Sequence, residues 1–196
     1  MIKAIIFDAD GVLINGEMFS IQLARDYGIS TEITLPFFTG EFKDCLIGKA
    51  DLKEVLPKHL KEWGWEKSVD DFLDYWFKSE HNIDLDLTQF INELRKKGIK
   101  CYLATNQEKY RVEYMLNKME FSKVFDKIFA SAHLGHKKPT FEFYAKVMDD
   151  LEGIDKKEVL FWDDTLENVN AAKEFGINAE LYSTFQDFKA KMESYS

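Results

Sequence analysis

The sequence predicts an α/β fold: a parallel sheet with helices on both faces and a run of helices inserted after the first strand. Two patterns predict it. From about Asp86 to the end, short apolar runs alternate with helical stretches, and strand–helix alternation of this kind builds parallel sheets. Residues 15–83 break that alternation with apolar residues at helical spacing, so they form an insertion between the first strand and the rest of the sheet.

Taken in order, Ile2-Lys3-Ala4-Ile5-Ile6-Phe7 is strand-length and almost wholly apolar. Within the insertion, Glu17 to Tyr27, Glu32 to Leu46, Asp51 to Trp63 and Val69 to Ser79 are expected to be helical, enough for a small bundle. Its aromatic residues Phe37, Phe38, Trp63, Trp65, Trp76 and Phe77 suit the core of such a bundle better than a substrate pocket. Beyond it, Ile99 to Ala104 and Glu158 to Trp162 are predicted as buried strands, with Lys127 to Ala130 and Asn178 to Tyr182 as shorter ones. Asp86 to Lys97, Gln107 to Met119, Pro139 to Leu151 and Thr165 to Phe175 are the helices between them. Gly98 and Gly176 sit where helix C-terminal glycines belong. A parallel sheet places ligands at the carboxyl ends of its strands.

Composition narrows the function classes. A net charge of -9 argues against binding nucleic acid or an anionic membrane, since both need a basic surface. No apolar run approaches membrane-spanning length, and the N-terminus is strand-like rather than signal-like. The two cysteines, Cys45 and Cys101, have no ligand spacing and suit a reducing compartment, so a cytoplasmic location is expected. His59, His81, His133 and His136 likewise show no ligand spacing.

Four segments carry chemistry-bearing residues at strand ends or helix starts. Asp8 and Asp10 follow the first strand, where alternation points both carboxylates the same way; a polar turn helped by Gly11 explains one of them but not two. Thr105-Asn106-Gln107-Glu108 matches a helix capping box, which also makes an anion site at a strand end. In Lys138-Pro139, proline at the first helical position places Lys138 at the cap, where a cation opposes the helix dipole unless it faces anions. A solvated lysine beside Lys137 is the plainer alternative. Asp163-Asp164 closes another strand, and one aspartate suffices for capping. Two carboxylates ~4 Å apart repel by about 4 kcal/mol at an effective dielectric of about 20. Four of them at one sheet edge therefore call for a divalent cation and a lysine. With no His or Cys cluster, oxygen ligation points to Mg²⁺.

Together these segments resemble the haloacid dehalogenase-like hydrolase superfamily in its phosphatase branch. The matches are Ile5-Ile6-Phe7-Asp8-Ala9-Asp10-Gly11-Val12, Thr105 with Asn106, Lys138-Pro139, and Asp163-Asp164 followed by Glu167-Asn168-Val169-Asn170-Ala171-Ala172. The resemblance implies a Rossmann-like core of residues 1–14 and 84–196 beneath a helical cap domain of residues 15–83. It makes Asp8 the nucleophile of an aspartyl-phosphate intermediate and Asp10 the general acid and base. Thr105 and the Asn106 backbone would hold the phosphoryl oxygens, with Lys138 offsetting charge. Asp8, the Asp10 carbonyl and Asp164 would hold Mg²⁺, with Asp163 as a further or outer-sphere ligand. Ala9 stands where the family often has a larger apolar residue, and Ile47-Gly48-Lys49 lies roughly where capped members place a substrate-contacting loop. The expected activity is hydrolysis of small phosphorylated metabolites, sugar phosphates first. A sugar phosphomutase and a non-catalytic binding protein of the same fold are the alternatives. A dehalogenase needs neither the acid at position 10 nor a metal.

Overall fold

The computed structural model describes residues 1–195. Five parallel strands form one sheet: β1 (Ala4–Phe7), β2 (Lys100–Thr105), β3 (Lys127–Ala130), β4 (Val159–Asp163) and β5 (Asn178–Leu181), in the spatial order β3-β2-β1-β4-β5. β1 is central, paired with β2 on one side and β4 on the other. Every residue of β1 and β4 is buried, as expected of parallel strands covered on both faces. The strand order reverses between β1 and β4, and a parallel sheet opens its ligand crevice at the carboxyl end of that junction.

Between the first two strands lie α1 (Phe19–Tyr27), α2 (Thr31–Thr39), α3 (Phe42–Cys45), α4 (Leu52–Glu62) and α5 (Val69–Ser79). The helix expected over Glu32 to Leu46 is two helices, α2 and α3. Gly40 leaves the helical region (φ −108°, ψ −111°), where its poor helix propensity lets the chain turn. These helices have a core of their own, built from residues such as Phe19, Phe37, Leu56, Trp63, Phe72 and Trp76. Where the chain leaves the sheet and where it returns, the two crossings lie side by side. Asn15 N–H donates to the Asn82 carbonyl at 2.9 Å, and Asp84 N–H to the Leu13 carbonyl at 2.8 Å.

The remaining helices are α6 (Leu85–Lys96), α7 (Lys109–Asn117), α8 (Phe121–Val124), α9 (Ser131–Leu134), α10 (Phe141–Asp150), α11 (Leu166–Phe175) and α12 (Phe185–Met192). Strand alternation divides the apolar residues between the two faces of the sheet. Ile5, Phe7, Leu103 and Trp162 pack with α6, α7, α8 and α12, whereas Ala4, Ile6, Ala104 and Phe161 pack with α10 and α11. Among the described residues, no helix is long and apolar enough to cross a membrane.

Candidate active site

The β1 ladder continues one step past the strand, because Asp8 N–H donates to the Trp162 carbonyl at 2.8 Å. That bond fixes the start of the turn, and Asp8 Oδ1 accepts the next amide, Ala9 N–H, at 2.7 Å. The Asp8 carboxylate, 8 % exposed, thus stands at the carboxyl end of β1 beside the end of β4. Gly11 turns with φ +75°, and a Cβ there would fall 2.0 Å from Asp164 Oδ2. Only glycine lets the Asp164 side chain lie across this turn.

Lys138 joins the two strand ends. Its ammonium, buried, lies 2.7 Å from Asp8 Oδ1 and 2.6 Å from Asp163 Oδ2. Sequence reasoning placed this lysine at a helix cap. The structure instead starts α10 two residues later, with Thr140 at the cap, and Lys138 precedes a cis peptide bond to Pro139 in the connecting loop. Asn106 holds that loop: its Oδ1 accepts from Lys138 N–H at 2.9 Å and its Nδ2 donates to the Lys138 carbonyl at 3.0 Å. The side chain of Asn106 therefore positions the loop that carries the lysine.

Asp163 spends both oxygens on protein donors. Oδ1 accepts from Thr165 N–H at 2.9 Å and Asn168 Nδ2 at 3.0 Å, and Oδ2 from Lys138 and, at 3.1 Å, from Asn168. Asn168 was quoted in the fourth motif but given no role. Its place in the first turn of α11, five residues after Asp163, is the signal that marks it. Oxygens of Asp8, Asp163 and Asp164 lie within 4.8 Å of one another, and the Asp10 carboxylate is outside that group. Asp10 instead accepts from Gln107 Nε2.

Thr105 is buried at the end of β2, two residues beyond the partner of Phe7, and so lies beside the Asp8 turn. The expected capping box with Glu108 does not form. The strand runs through Thr105, and Glu108 itself is the N-cap of α7, accepting from Tyr110 N–H at 2.9 Å and from Arg111 N–H. The chain needs the intervening residues to pass from strand end to helix, so the cap falls three residues later.

Charge explains the pKa pattern. Burial pushes Asp8 up to about 8, assisted by Asp163 and Asp10 and opposed by Lys138. Burial opposes the charge of Lys138 as well, yet Asp8 and Asp163 together hold its pKa above the ordinary lysine value. The two directions agree because one cation is shared by two carboxylates. Asp10 and Asp164 are also raised, in both cases first by desolvation; Arg111 and Lys138 pull Asp10 back. This is an anion-rich site with one buried ammonium, a charge pattern that could hold a cation and stabilise charge on a bound anion.

Helices α1, α2, α3 and α5 of the inserted segment reach this site. A cavity of about 510 Å³ runs from Asp10 and Gly11 into residues of α1, α2 and α3 and to Trp76 and Glu80. Phe38 and Trp76 line it, so two of the aromatic residues expected in the bundle core also face the cavity, while Phe37, Trp63, Trp65 and Phe77 stay in the core. Of the loop expected to touch substrate, residues 47–49 lie outside the cavity lining and only the preceding Leu46 contributes. Gly48 docks on the core instead: with φ +71°, a Cβ there would meet the Ala132 carbonyl oxygen at 2.3 Å. Arg111, buried in α7, donates from Nη1 to the Phe77 carbonyl at 3.0 Å and lies 3.3 Å from Glu80 through Nη2. Sequence reasoning did not find this pair, since nothing local links positions 80 and 111.

A family model described as haloacid dehalogenase-like hydrolase matches residues 5–181. The D-ribitol-5-phosphate phosphatase of Bacteroides thetaiotaomicron is 28% identical over 197 residues, covering 95% of this chain and 92% of that protein. A drimenol cyclase of Aspergillus calidoustus is 31% identical over 103 residues, 51% of this chain, and the match spans only 19% of that longer protein. Among solved structures, a HAD family enzyme from Bacteroides thetaiotaomicron, in complex with magnesium and inorganic phosphate, aligns with a TM-score of 0.82 at 25% identity, over 97% of this chain and 99% of that one.

Proposed function

The chain belongs to the haloacid dehalogenase-like hydrolase family and acts on phosphate esters, and we propose that it is a Mg²⁺-dependent phosphatase of small phosphorylated metabolites working through an aspartyl-phosphate. The observation that carries this reading is Lys138, a buried ammonium bonded to both Asp8 and Asp163 where β1 and β4 end side by side. Phosphorylated carbohydrates are the substrate class that the ribitol-5-phosphate relative supports.

The donor set fits magnesium. Three carboxylates offer oxygens within 4.8 Å of one another, with no sulfur or imidazole among them. Because Asp163 is already saturated by Lys138, Thr165 and Asn168, Asp8 and Asp164 would be the carboxylate ligands, with the Asp10 carbonyl, and Asp163 would act from the outer sphere. Bound there, Mg²⁺ supplies neutralisation of the carboxylates and of the phosphoryl oxygens.

The chain's own residues divide the remaining work. The Asp8 carboxylate attacks phosphorus while the ester oxygen leaves with the proton of Asp10, giving aspartyl-phosphate and free alcohol. Water then attacks that phosphoryl group, passes a proton to Asp10, and returns Asp8 as a carboxylate with release of inorganic phosphate. Thr105 and the backbone of Asn106 orient the phosphoryl oxygens, and Lys138 holds the charge that builds on them. Burial raises the pKa of Asp10, the direction that suits a group holding the proton it must give to the leaving oxygen. Residues 15–83 act as a cap hinged at the paired crossings 13–15 and 82–84, closing over the site.

A screen of phosphorylated metabolites with Mg²⁺, reading phosphate release, tests this function. Turnover should stop in chelator and return with Mg²⁺. Full turnover in protein shown to be metal-free by elemental analysis would refute the metal's part. Transfer of phosphate to a second sugar, without release, would make the enzyme a phosphomutase.

A further inference from the structure

The cavity that opens from Asp10 is walled mainly by apolar side chains. Phe19, Phe38, Phe42, Trp76, Leu35 and Leu46 form much of the surface, and Met18 and Leu35, 69% and 57% exposed, form an apolar rim. The polar groups in the lining are mostly committed. The Thr34 hydroxyl donates to the Thr31 carbonyl at 3.2 Å, and Glu17 pairs with Arg25 at 2.6 Å. Glu80 accepts from Phe19 N–H at 3.3 Å and Trp76 Nε1 at 3.1 Å, and pairs with Arg111. That leaves the side chains of Asn15, Ser20 and Thr31, with the spare acceptor sites of Glu17 and Glu80, for a polyhydroxylated guest. The charged lining residues are Asp10, Glu17 and Glu80; among the described residues, no lysine, arginine or histidine lines the cavity.

We infer that the preferred substrate is a phosphate monoester of an uncharged alcohol with a largely apolar body, alkyl or aryl, seated against Phe38, Phe42 and Trp76. The inference rests on the phosphatase reading and sharpens it. The cavity begins at Asp10 and Gly11, so a leaving group protonated by Asp10 projects into it. A sugar hydroxyl buried against these rings without a partner gives up its hydrogen bonds to water, whereas a methylene gains by leaving water. A second phosphate or a carboxylate would meet the Asp10 carboxylate, two more carboxylates whose charges Arg25 and Arg111 already offset, and no free cation in the described lining. Bisphosphates and phosphorylated acids are thus the poorest class.

The test is the steady-state kcat/KM of the Mg²⁺-loaded full chain across n-butyl, n-hexyl and n-octyl phosphate, ribitol 5-phosphate, fructose 1,6-bisphosphate and p-nitrophenyl phosphate. The expected result is a rise of about fourfold per added methylene until the cavity is filled, which is ~0.8 kcal/mol per buried CH₂ converted at ~1.4 kcal/mol per decade. Hexyl phosphate should exceed ribitol 5-phosphate, and the bisphosphate should come last. Phe42→Ser should flatten the chain-length slope, read as the octyl-to-butyl ratio, and Phe42→Leu should restore it. Ribitol 5-phosphate ahead of hexyl phosphate, or a flat slope in the unmodified protein, overturns the inference while the phosphatase reading stands. No phosphate release from any ester, p-nitrophenyl phosphate included, takes down both.

Discussion

Replacing Asp8 with Asn should make the metal-free protein more stable at pH 8 while abolishing phosphate release. Burial raises Asp8 from 3.8 to about 8. Between those values the native state holds a proton that the unfolded chain has released, so the contribution of Asp8 to stability is complete below pH 3.8 and is lost as pH rises through about 8. At ~1.4 kcal/mol per pH unit, the ceiling on that loss is ~6 kcal/mol. At ~2–4 °C per kcal/mol for a domain of this size, the melting temperature should fall by at most ~12–24 °C. The asparagine amide does not titrate, so Asp8→Asn removes this slope. Glu80 and Glu108, pushed by burial to about 6 and about 7, slope both proteins alike, so only the gap between the two counts. Scanning calorimetry in chelator at pH 4, 6 and 8 should show nearly coincident melting at pH 4 and a widening advantage for the variant above it. Added Mg²⁺ should raise the unmodified protein most at pH 8, where Asp8 is freest to ionise, and Asp8→Asn little. A gap that stays constant with pH would refute the account of Asp8 as a buried, under-compensated carboxylate.

Asp10→Asn should lower kcat on an alkyl phosphate by ~10²–10⁴, since the departing alkoxide loses its proton donor, and near-normal rates would remove Asp10 from acid–base work. Gly11→Ala forces a side chain into a left-handed turn, costing roughly 1–2 kcal/mol, and drives a methyl group against the Asp164 carboxylate. The Mg²⁺ concentration for half-maximal activity should therefore rise severalfold; an unchanged value would detach Asp164 from the metal. Asn168→Ala strips donors from both oxygens of the buried Asp163, a loss of ~1–3 kcal/mol, so melting should fall by ~2–12 °C. Unaltered melting would show that Thr165 and Lys138 satisfy Asp163 alone.

The sheet was legible because parallel strands buried on both faces need near-continuous apolar runs, and few other structures use them at this length. The shorter strands were read correctly at Lys127 and Asn178, and the second and fourth only one residue early, at Ile99 and Glu158. The four acidic, hydroxyl and lysine motifs were legible for a related reason: each sits at the end of an apolar run or the start of a helical one. What local pattern mispredicted was the loop geometry beyond the strands. Glu108 looked like the third residue of a capped helix and is the cap itself; Lys138 looked like a cap and stands in the loop before one. Both errors treat capping rules as if the helix began wherever a cap fits, whereas the strand register fixes where the chain arrives. Helix α12 was not read, although its Phe188 and Met192 cover the same face as Phe7 and Trp162.

Pairings between distant residues left no local trace, and they divide by what they do. Asn106 with Lys138 and Asn168 with Asp163 fix the reacting groups to β1, β2 and β4, whose mutual positions are set by ladder hydrogen bonds. Arg111 with Glu80 and Phe77, and Asp51 with Lys109 at 2.6 Å, tie the helical segment to α7 instead. The exposed Asp51 pair is of the kind worth under ~1 kcal/mol, whereas the buried Arg111 is costly to leave unpaired, at roughly 3–5 kcal/mol. Ties of such unequal strength, beside a pair of backbone crossings at Asn15 and Asn82, fit the proposed cap, a segment that would part from the core to admit substrate and re-seat in a single register. In the proposed function the reacting groups would need a rigid frame because their geometry sets the rate, and the apolar cavity a separable wall because its guest would have to enter and leave. On that reading the sheet provides the first and residues 15–83 the second.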